Sequence, residues 1–158
     1  MLNAEVLQSI RESVLCWLAT ASKAGEPNVS PKEMFCAFGE DKILIANIAS
    51  PNSVANIAEN PNVCVSFVDV FKQKGFKVKG MARIVRPEQT GYAEMLAALH
   101  QLGGEAFPIR NIIEVTVRRV NPIVAPSYWL FPETTEKNQI EQALRTYGVG
   151  RIPGEAHP

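Results

Sequence analysis

The stretch ASPNSVANIAEN combines the start of a helix with uncharged polar side chains that suit an anion. Ser50 can cap a helix that begins at Pro51, because a first-turn proline lacks only an N–H group that the helix would leave unpaired. In the alternative, Asn52 is the cap and Ser53 begins the helix. Either start leaves backbone N–H groups next to the Ser53 hydroxyl and the Asn56 amide, an arrangement that binds phosphate or carboxylate. The purely structural interpretation is that these polar residues only cap the helix and form its polar face.

Lysines at alternate positions mark two further segments, and alternate residues of a strand share one face. PNVSPKEMF places Ser30 and Lys32 on one face. Pro31 between them indicates an edge or a bulge, because proline cannot donate to a ladder. KVKGMARIV places Lys77 and Lys79 on one face of another strand. Each lysine alone is typical of a solvated strand edge. Together, a hydroxyl, an amide, a helix start and two lysines predict a site for one phosphorylated ligand with a planar ring system.

Other residue types give no sign of metal or triad chemistry. The three cysteines lie far apart in apolar runs, without a Cys-x-x-Cys pair or a nearby histidine, so we expect reduced thiols and no metal site. Of the two histidines, His157 lies one residue from the end, so a Ser-His-Asp or Cys-His system would have to use His100, which lies in a helical stretch, and we do not expect such a system. We therefore assign no catalytic residue from the sequence.

The composition is that of an ordinary globular domain. Hydrophobic residues make up 46% and charged residues 20%, with 16 basic and 16 acidic side chains. A net charge of zero argues against a nucleic-acid binder that depends on a general basic field. No apolar run approaches the ~18 residues of a membrane-spanning helix, and the N-terminal MLNAEVLQSIRES lacks the apolar core of a signal peptide. We expect a cytoplasmic protein with no membrane or nucleic-acid partner.

The elements that must position these residues are a helix, five strands with one short helix inserted, a longer helix, a strand and a final helix. The predicted strands are VLCWLATAS, NVSPKEMFCAF, ILIAN, VCVSFVDV, FKVKGMARIVR and NIIEVTVRRVNPIV. Most connections are too short for parallel crossovers, so we expect an antiparallel sheet. About six such strands close most economically as a barrel. We expect a mainly β fold with flanking α-helices, in a single domain over residues 1–158.

The order AT…GEPNVSPKEMF…ILIAN…SVANIAENPNVCVSF…GFKVKGMARIV resembles the pyridoxamine 5'-phosphate oxidase-like superfamily of FMN-binding split barrels. The resemblance covers about 15–85. It implies an antiparallel six-stranded split β-barrel with flanking helices and FMN as the cofactor. By position, it implies that Ser30, Pro31 and Lys32 face the flavin ring or its ribityl chain.

The same resemblance implies a phosphate end of the site at NSVAN. It places Asn52, Ser53 and Asn56 there, with Asn47 at the end of the preceding strand. It also implies that Lys79 approaches the phosphate or the ring edge. Many members carry Arg or Lys at the position of Asn52, so this chain is expected to hold the phosphate with a less cationic clamp.

Members of this superfamily usually share each FMN between two subunits, which implies a homodimer. The segment PSYWLFP holds Tyr128, Trp129 and Phe131. One interpretation is core or interface packing; the other is an aromatic wall over the flavin, with Trp129 supplied by one subunit. The tail YGVGRIPGEAHP does not match the basic, Trp-containing tail of the pyridoxamine phosphate oxidases, so that activity is not expected.

The resemblance implies a flavoprotein, and we expect an FMN-dependent oxidoreductase that exchanges electrons with a small-molecule partner. A non-catalytic FMN carrier or sensor needs the same pocket and is the first alternative, and a deazaflavin relative of FMN is an alternative cofactor. FAD is not expected, because the sequence has no Gly-x-Gly-x-x-Gly fingerprint. A small-barrel RNA-binding module is the remote alternative, since FKQKGFKVKG has four lysines and two phenylalanines.

Overall fold

The computed structural model describes residues 2–150, so His157 lies outside the described residues. Seven strands form one antiparallel sheet in the order β2-β1-β5-β6-β7-β4-β3. Their bounds are β1 Cys16–Ala21, β2 Pro27–Lys32, β3 Phe35–Phe38, β4 Lys42–Asn47, β5 Asn62–Asp69, β6 Lys74–Val85 and β7 Asn111–Val124. Strands β2 and β3 follow each other in the chain but form opposite edges of the sheet. The sheet is therefore a half-barrel with a seam between β2 and β3.

The prediction of six strands was wrong by one, because NVSPKEMFCAF forms two strands. The chain leaves β2 after Lys32, crosses the seam with Glu33 and Met34, and then enters β3. Pro31 lies within β2, opposite Trp17 of β1. Proline is tolerated there because one side of an edge strand has no partner strand, so the expectation of an edge at Pro31 is confirmed.

Five helices flank the sheet: α1 Ala4–Glu12, α2 Pro51–Glu59, α3 Tyr92–Gly103, α4 Ser127–Leu130 and α5 Glu136–Tyr147. Ser50 is the N-cap residue of α2, as the first of the two alternatives predicted. Gly91 precedes α3 with a φ of 86°, a left-handed conformation that glycine adopts without strain. The single turn α4 was not predicted. Among residues 2–150, no helix is long and apolar enough to span a membrane.

Buried side chains form two clusters. The larger one fills the half-barrel around Leu18, Phe67 and Val78, and the smaller one lies under α3 around Leu44 and Leu99. Helix α2 packs against β1, β2 and β6. This position brings the start of α2 next to the edge strand β2.

Candidate anion and cofactor site

A row of polar side chains on β2 faces α2. Asn28, Ser30 and Lys32 occupy alternate positions of β2 and therefore share one face. Their cross-strand partners on β1 are buried in the half-barrel: Thr20, Leu18 and Cys16. The polar row thus points toward the barrel side of the sheet, where α2 packs, and this confirms the predicted common face of Ser30 and Lys32.

Ser53 in the first turn of α2 is bound to this row. It is only 1% exposed. The Ser30 and Ser53 hydroxyl oxygens lie 3.0 Å apart, and Asn28 Nδ2 donates to Ser53 Oγ at 3.3 Å. In the described chain, the Ser53 hydroxyl therefore fixes α2 to β2.

Lys32 is the cation of this site. It is 7% exposed, and its Nζ donates to Ser50 Oγ. Burial lowers the pKa of Lys32, because surroundings of low polarity disfavour the ammonium form. Its cross-strand neighbour Cys16 supplies no compensating charge, since burial raises the pKa of that thiol to about 12. None of the ion pairs among residues 2–150 includes Lys32.

Two asparagines fix the start of α2 from other strands. Asn47 at the end of β4 is buried, and its Oδ1 accepts from Ser50 N at 3.1 Å. Asn56 Nδ2 donates to Thr20 Oγ1 at 3.1 Å, and Asn28 Nδ2 donates to the same oxygen at 3.1 Å. The helix start is therefore held by β1, β2 and β4, which gives its free N–H groups a fixed direction.

The structure brings together five residues of the predicted site. Ser30, Lys32, Asn47, Ser53 and Asn56 belong to one polar cluster around the start of α2. Three further members were not predicted as site residues: Thr20, Asn28 and the side chain of Ser50. Asn28 could have been found from its alternation with Ser30, whereas the role of Thr20 depends on the pairing of β1 with β2.

The other four predicted residues lie outside this cluster. Asn52 is exposed on the first turn of α2. Pro31 is exposed and alternates with the polar row, so it faces away from α2. Lys79 is exposed on the outer face of β6, because its neighbour Val78 is fully buried in the half-barrel. Trp129 is 67% exposed on α4, beyond the end of β7.

The outer face of the sheet carries two rows of residues that the strand register aligns from β2 to β7. The first row is Val29, Ala19, Cys64, Lys79 and Arg119. The second row is Pro31, Trp17, Ser66, Lys77 and Asn121. These rows contain cations and apolar groups but no carboxylate. Among residues 2–150, no group of three or more His, Cys, Asp or Glu side chains is arranged to hold a metal ion.

We expect Thr20→Val to lower the free energy of unfolding by roughly 1 to 3 kcal/mol, because two amide donors lose their common buried acceptor. Thr116→Val is the matched control, since the Thr116 hydroxyl makes no hydrogen bond to another described residue and the position is half-buried in β7. Urea denaturation of both variants measures the difference. Equal losses in the two variants would show that the Thr20 network adds nothing beyond ordinary strand packing.

Comparison with known proteins gives a family and a fold. The sequence profile described as "Pyridoxamine 5'-phosphate oxidase" matches residues 2–123. No curated protein matches the sequence. Solved structures provide several matches at low identity.

Three solved structures illustrate the range of these matches. HupZ from Group A Streptococcus is 21% identical, with 76% of this chain and 92% of that chain covered and a TM-score of 0.66. An FMN-binding protein from Syntrophomonas wolfei is 17% identical, with coverages of 77% and 88% and a TM-score of 0.64. HutZ, the heme storage protein from Vibrio cholerae, is 20% identical, with coverages of 78% and 94% and a TM-score of 0.61.

Similarity at this level of identity shows the fold alone. The names of two of these proteins mention different ligands, FMN in one and heme in the other. The profile match covers most of the described chain, including β1 to β6 and the polar cluster at α2. It agrees with the antiparallel half-barrel and its flanking helices. The chain therefore belongs to the pyridoxamine 5'-phosphate oxidase family of split-barrel proteins.

Proposed function

We propose that the protein binds FMN and acts as a flavin-dependent oxidoreductase. The observation that carries this proposal is Lys32, a buried cation with no carboxylate partner in residues 2–150, beside the start of α2. A helix N-terminus has a partial positive charge, so it adds to the electrostatic cost of the ammonium group. An anion at this point offsets both charges, and helix starts are common phosphate sites.

The magnitudes favour an anionic ligand over a neutral one. An unpaired buried ion costs several kcal/mol, whereas a hydrogen bond to a charged group contributes about 1.5 to 3 kcal/mol. Lys32 has three ammonium donors, and Ser50 Oγ accepts from one of them. A phosphate group has three acceptor oxygens and a charge of about −1.5 to −2 at neutral pH. A phosphate therefore satisfies Lys32 better than the Ser50 hydroxyl alone.

The described residues fit the phosphate end of FMN. Lys32, the N–H groups at the start of α2 and the exposed amide of Asn52 would hold the phosphate, while Ser30, on the same face of β2 as Lys32, would line the polyol chain. Bound FMN supplies the redox chemistry, and the protein supplies binding, orientation and local charge. A lysine ammonium near the ring favours the anionic reduced form of a flavin, and we assign that effect to Lys79.

We further propose a homodimer in which each flavin contacts both subunits. Lys32 points to the barrel side of the sheet and Lys79 to the outer face. A single small ligand therefore cannot contact both lysines of one chain, but it can contact Lys32 of one subunit and Lys79 of the partner subunit. The exposed side chain of Trp129 supports such an interface, because tryptophan is enriched in protein–protein contacts.

We expect FMN to be released from the purified protein, and mass spectrometry after heat denaturation identifies it. The site as described has one cluster of phosphate-binding groups, which suits a mononucleotide better than FAD. Finding FAD, heme or a deazaflavin, or finding no bound flavin after reconstitution with excess FMN, would contradict the cofactor proposal.

Turnover separates an enzyme from a carrier or sensor. With FMN bound and dissolved oxygen as the electron acceptor, the oxidoreductase should oxidise more reduced nicotinamide than it has flavin, because oxygen reoxidises the reduced flavin after each turnover. The loss of nicotinamide absorbance measures this. A single reduction of the bound flavin without further turnover would support the carrier or sensor instead.

A further inference from the structure

We infer that a cavity beyond the ends of β6 and β7 is a second binding site, which takes an uncharged planar heterocycle such as a nucleobase. The cavity has a volume of about 460 Å³, which is within the range of ligand sites. The tip of the β5–β6 hairpin, the start of α4, the α4–α5 connection and α5 line it. None of the described residues that line it belongs to one of the seven strands or has a role in the flavin proposal. The cavity is therefore separate from the outer face of the sheet and from the polar cluster at α2.

Most of the cavity lies outside the part of the chain that the family profile matches. That match ends at residue 123, whereas the lining residues are Gln73 and nine residues between 125 and 142. Membership of the family therefore does not account for this cavity. Its chemistry has to be read from its own side chains.

Gln139 is the buried polar group of the cavity. It is 7% exposed, one turn before the buried Ala143 on the same face of α5. Its Oε1 accepts from Ser127 Oγ at 3.2 Å, whereas its Nε2 has no hydrogen-bond partner among residues 2–150. A buried amide without a partner is destabilising, so buried polar groups usually have one. The unpaired Nε2 at the wall of a cavity therefore points to an acceptor on a ligand.

Gln73 contributes a second amide from a strained backbone conformation. Its φ is 54°, and within the described chain it is the only residue other than glycine with a positive φ. Two backbone hydrogen bonds hold it there, from Gln73 N to Asp69 O at 2.7 Å and from Ala125 N to Gln73 O at 3.0 Å. Glycine adopts this conformation without strain, and strained residues are frequent at ligand sites. The side chain of Gln73, which lines the cavity, is a reason for glutamine at this position.

The charges around the cavity indicate an uncharged ligand. Among the described residues that line it, Glu133 is the only one with an ionisable side chain, and Lys74 next to Gln73 is paired with Glu136. A phosphate or carboxylate would meet repulsion without a cation, and a cationic ligand would gain little from one exposed carboxylate. The polar groups are instead amides and hydroxyls, which both donate and accept: Gln73, Asn138, Gln139, Gln142, Ser127 and Thr134.

An aromatic ring among these amides favours a planar ligand. Phe131 lines the cavity, and bases stack on aromatic side chains. Glutamine and asparagine amides bind in a bidentate way to a donor and an acceptor that lie side by side on the rim of a base. A purine base and the carboxamide of a nicotinamide ring both offer such a pair of groups. The ligand class is therefore a planar ring with an adjacent donor and acceptor.

Adenosine is the first probe for this site, and the side-chain NH2 signals of Gln73 and Gln139 are the reporters. In amide proton–nitrogen NMR spectra, with and without FMN, we expect both signals to shift in a saturable way. Gln139→Glu keeps an acceptor for Ser127 but removes the free donor, so binding followed at Gln73 should weaken about tenfold. The matched control Gln101→Glu, exposed on α3, should change the affinity less than about twofold.

Gln73→Gly separates binding from stability. We expect a melting temperature about 2 to 4 °C higher, because glycine relieves the backbone strain. Adenosine binding, followed at the Gln139 signal, should weaken about threefold, because one amide is lost. A less stable variant, or one that binds adenosine as tightly as the parent, contradicts the inference.

Further probes define the ligand class. The relative affinities of adenosine and nicotinamide distinguish a purine base from a carboxamide ring. Ribose, which has no planar ring, should cause no shifts, and adenosine monophosphate should bind no more tightly than adenosine. Ribose shifts equal to those of adenosine, or tighter binding of the monophosphate, refute the ligand class.

Three results would overturn the site itself. They are the absence of saturable shifts with both adenosine and nicotinamide, equal losses in Gln139→Glu and Gln101→Glu, and displacement of adenosine by FMN. The last result would make the cavity part of the flavin site. Adenosine binding in a protein that takes up no FMN would instead leave this site standing while removing the flavin proposal.

Discussion

Lys32→Met should lower the affinity for FMN about ten- to a hundredfold and, at the same time, raise the melting temperature of the flavin-free protein. The affinity falls because a buried ammonium bound to a phosphate contributes roughly 1.5 to 3 kcal/mol, and each 1.4 kcal/mol is about tenfold in binding. The flavin-free protein gains stability because methionine keeps the length of the side chain while removing an uncompensated buried charge. Opposite signs for binding and stability distinguish a ligand-binding lysine from a structural one.

Titration by flavin fluorescence and calorimetric melting measure these two quantities. Riboflavin, which lacks the phosphate, should bind the parent and the variant nearly equally. Lys23→Met, at an exposed turn position, is the matched control and should leave both measurements unchanged. A parallel loss of FMN and riboflavin affinity, or a less stable variant, would assign Lys32 to the fold and not to phosphate binding.

The pH dependence of stability gives an independent test of the same lysine. Burial lowers the folded-state pKa of Lys32 below its ordinary value of 10.5, so the unfolded chain binds more protons than the folded chain between those two values. The destabilisation by Lys32 is fully present below the folded-state pKa and is relieved as the pH rises through it. The flavin-free parent should therefore gain stability relative to Lys32→Met toward alkaline pH, and bound FMN should remove this gain.

Local sequence patterns predicted the parts of the site that depend on local geometry. The cap at Ser50, the proline at the first position of α2 and the common face of Ser30 and Lys32 follow from rules that span a few residues. These rules also give the relative orientation of Lys77 and Lys79. They do not say which face of the sheet is buried, because that depends on the neighbours in the finished fold.

Strand pairing decided the features that the sequence could not predict. Lys32 lies opposite Cys16 and Lys79 lies opposite Cys64, and only this register places the two lysines on different faces of one sheet. The separation of β2 from β3 has the same origin, because their partners β1 and β4 lie at opposite ends of the strand order. The sequence does not indicate a seam between these two consecutive strands, because only Glu33 and Met34 lie between them.

The aromatic segment PSYWLFP shows a further limit. Its residues form the single turn α4, which is too short for a helical period to appear in the sequence. Tyr128 packs onto the barrel, where its hydroxyl donates to Lys72 O at 2.7 Å and Lys74 Nζ lies 4.3 Å from its ring centroid. Trp129 instead remains exposed. The packing interpretation of this segment therefore holds for Tyr128, whereas an aromatic wall over the flavin that includes Trp129 stays a prediction.

Heterodimers of Lys32→Met and Lys79→Glu subunits should recover one FMN site of parental affinity. Each homodimer has a defect at every site, because every flavin meets either Met at position 32 or Glu at position 79. In the heterodimer of a two-fold dimer, one site combines both defects and the other combines both parental lysines. Coexpression with two affinity tags isolates this heterodimer, and fluorescence titration should then show about one tight site per dimer.

The matched control carries the same two substitutions in one chain, paired with a parental subunit. If each flavin lies between subunits, both sites of this control are defective, since each combines one lysine with one substitution. If each flavin instead contacts a single chain, the control has one intact site and the first heterodimer has none. The two arrangements of the same mutations thus give opposite results. A tight site in the control alone would refute the shared flavin without affecting the role of Lys32 in phosphate binding.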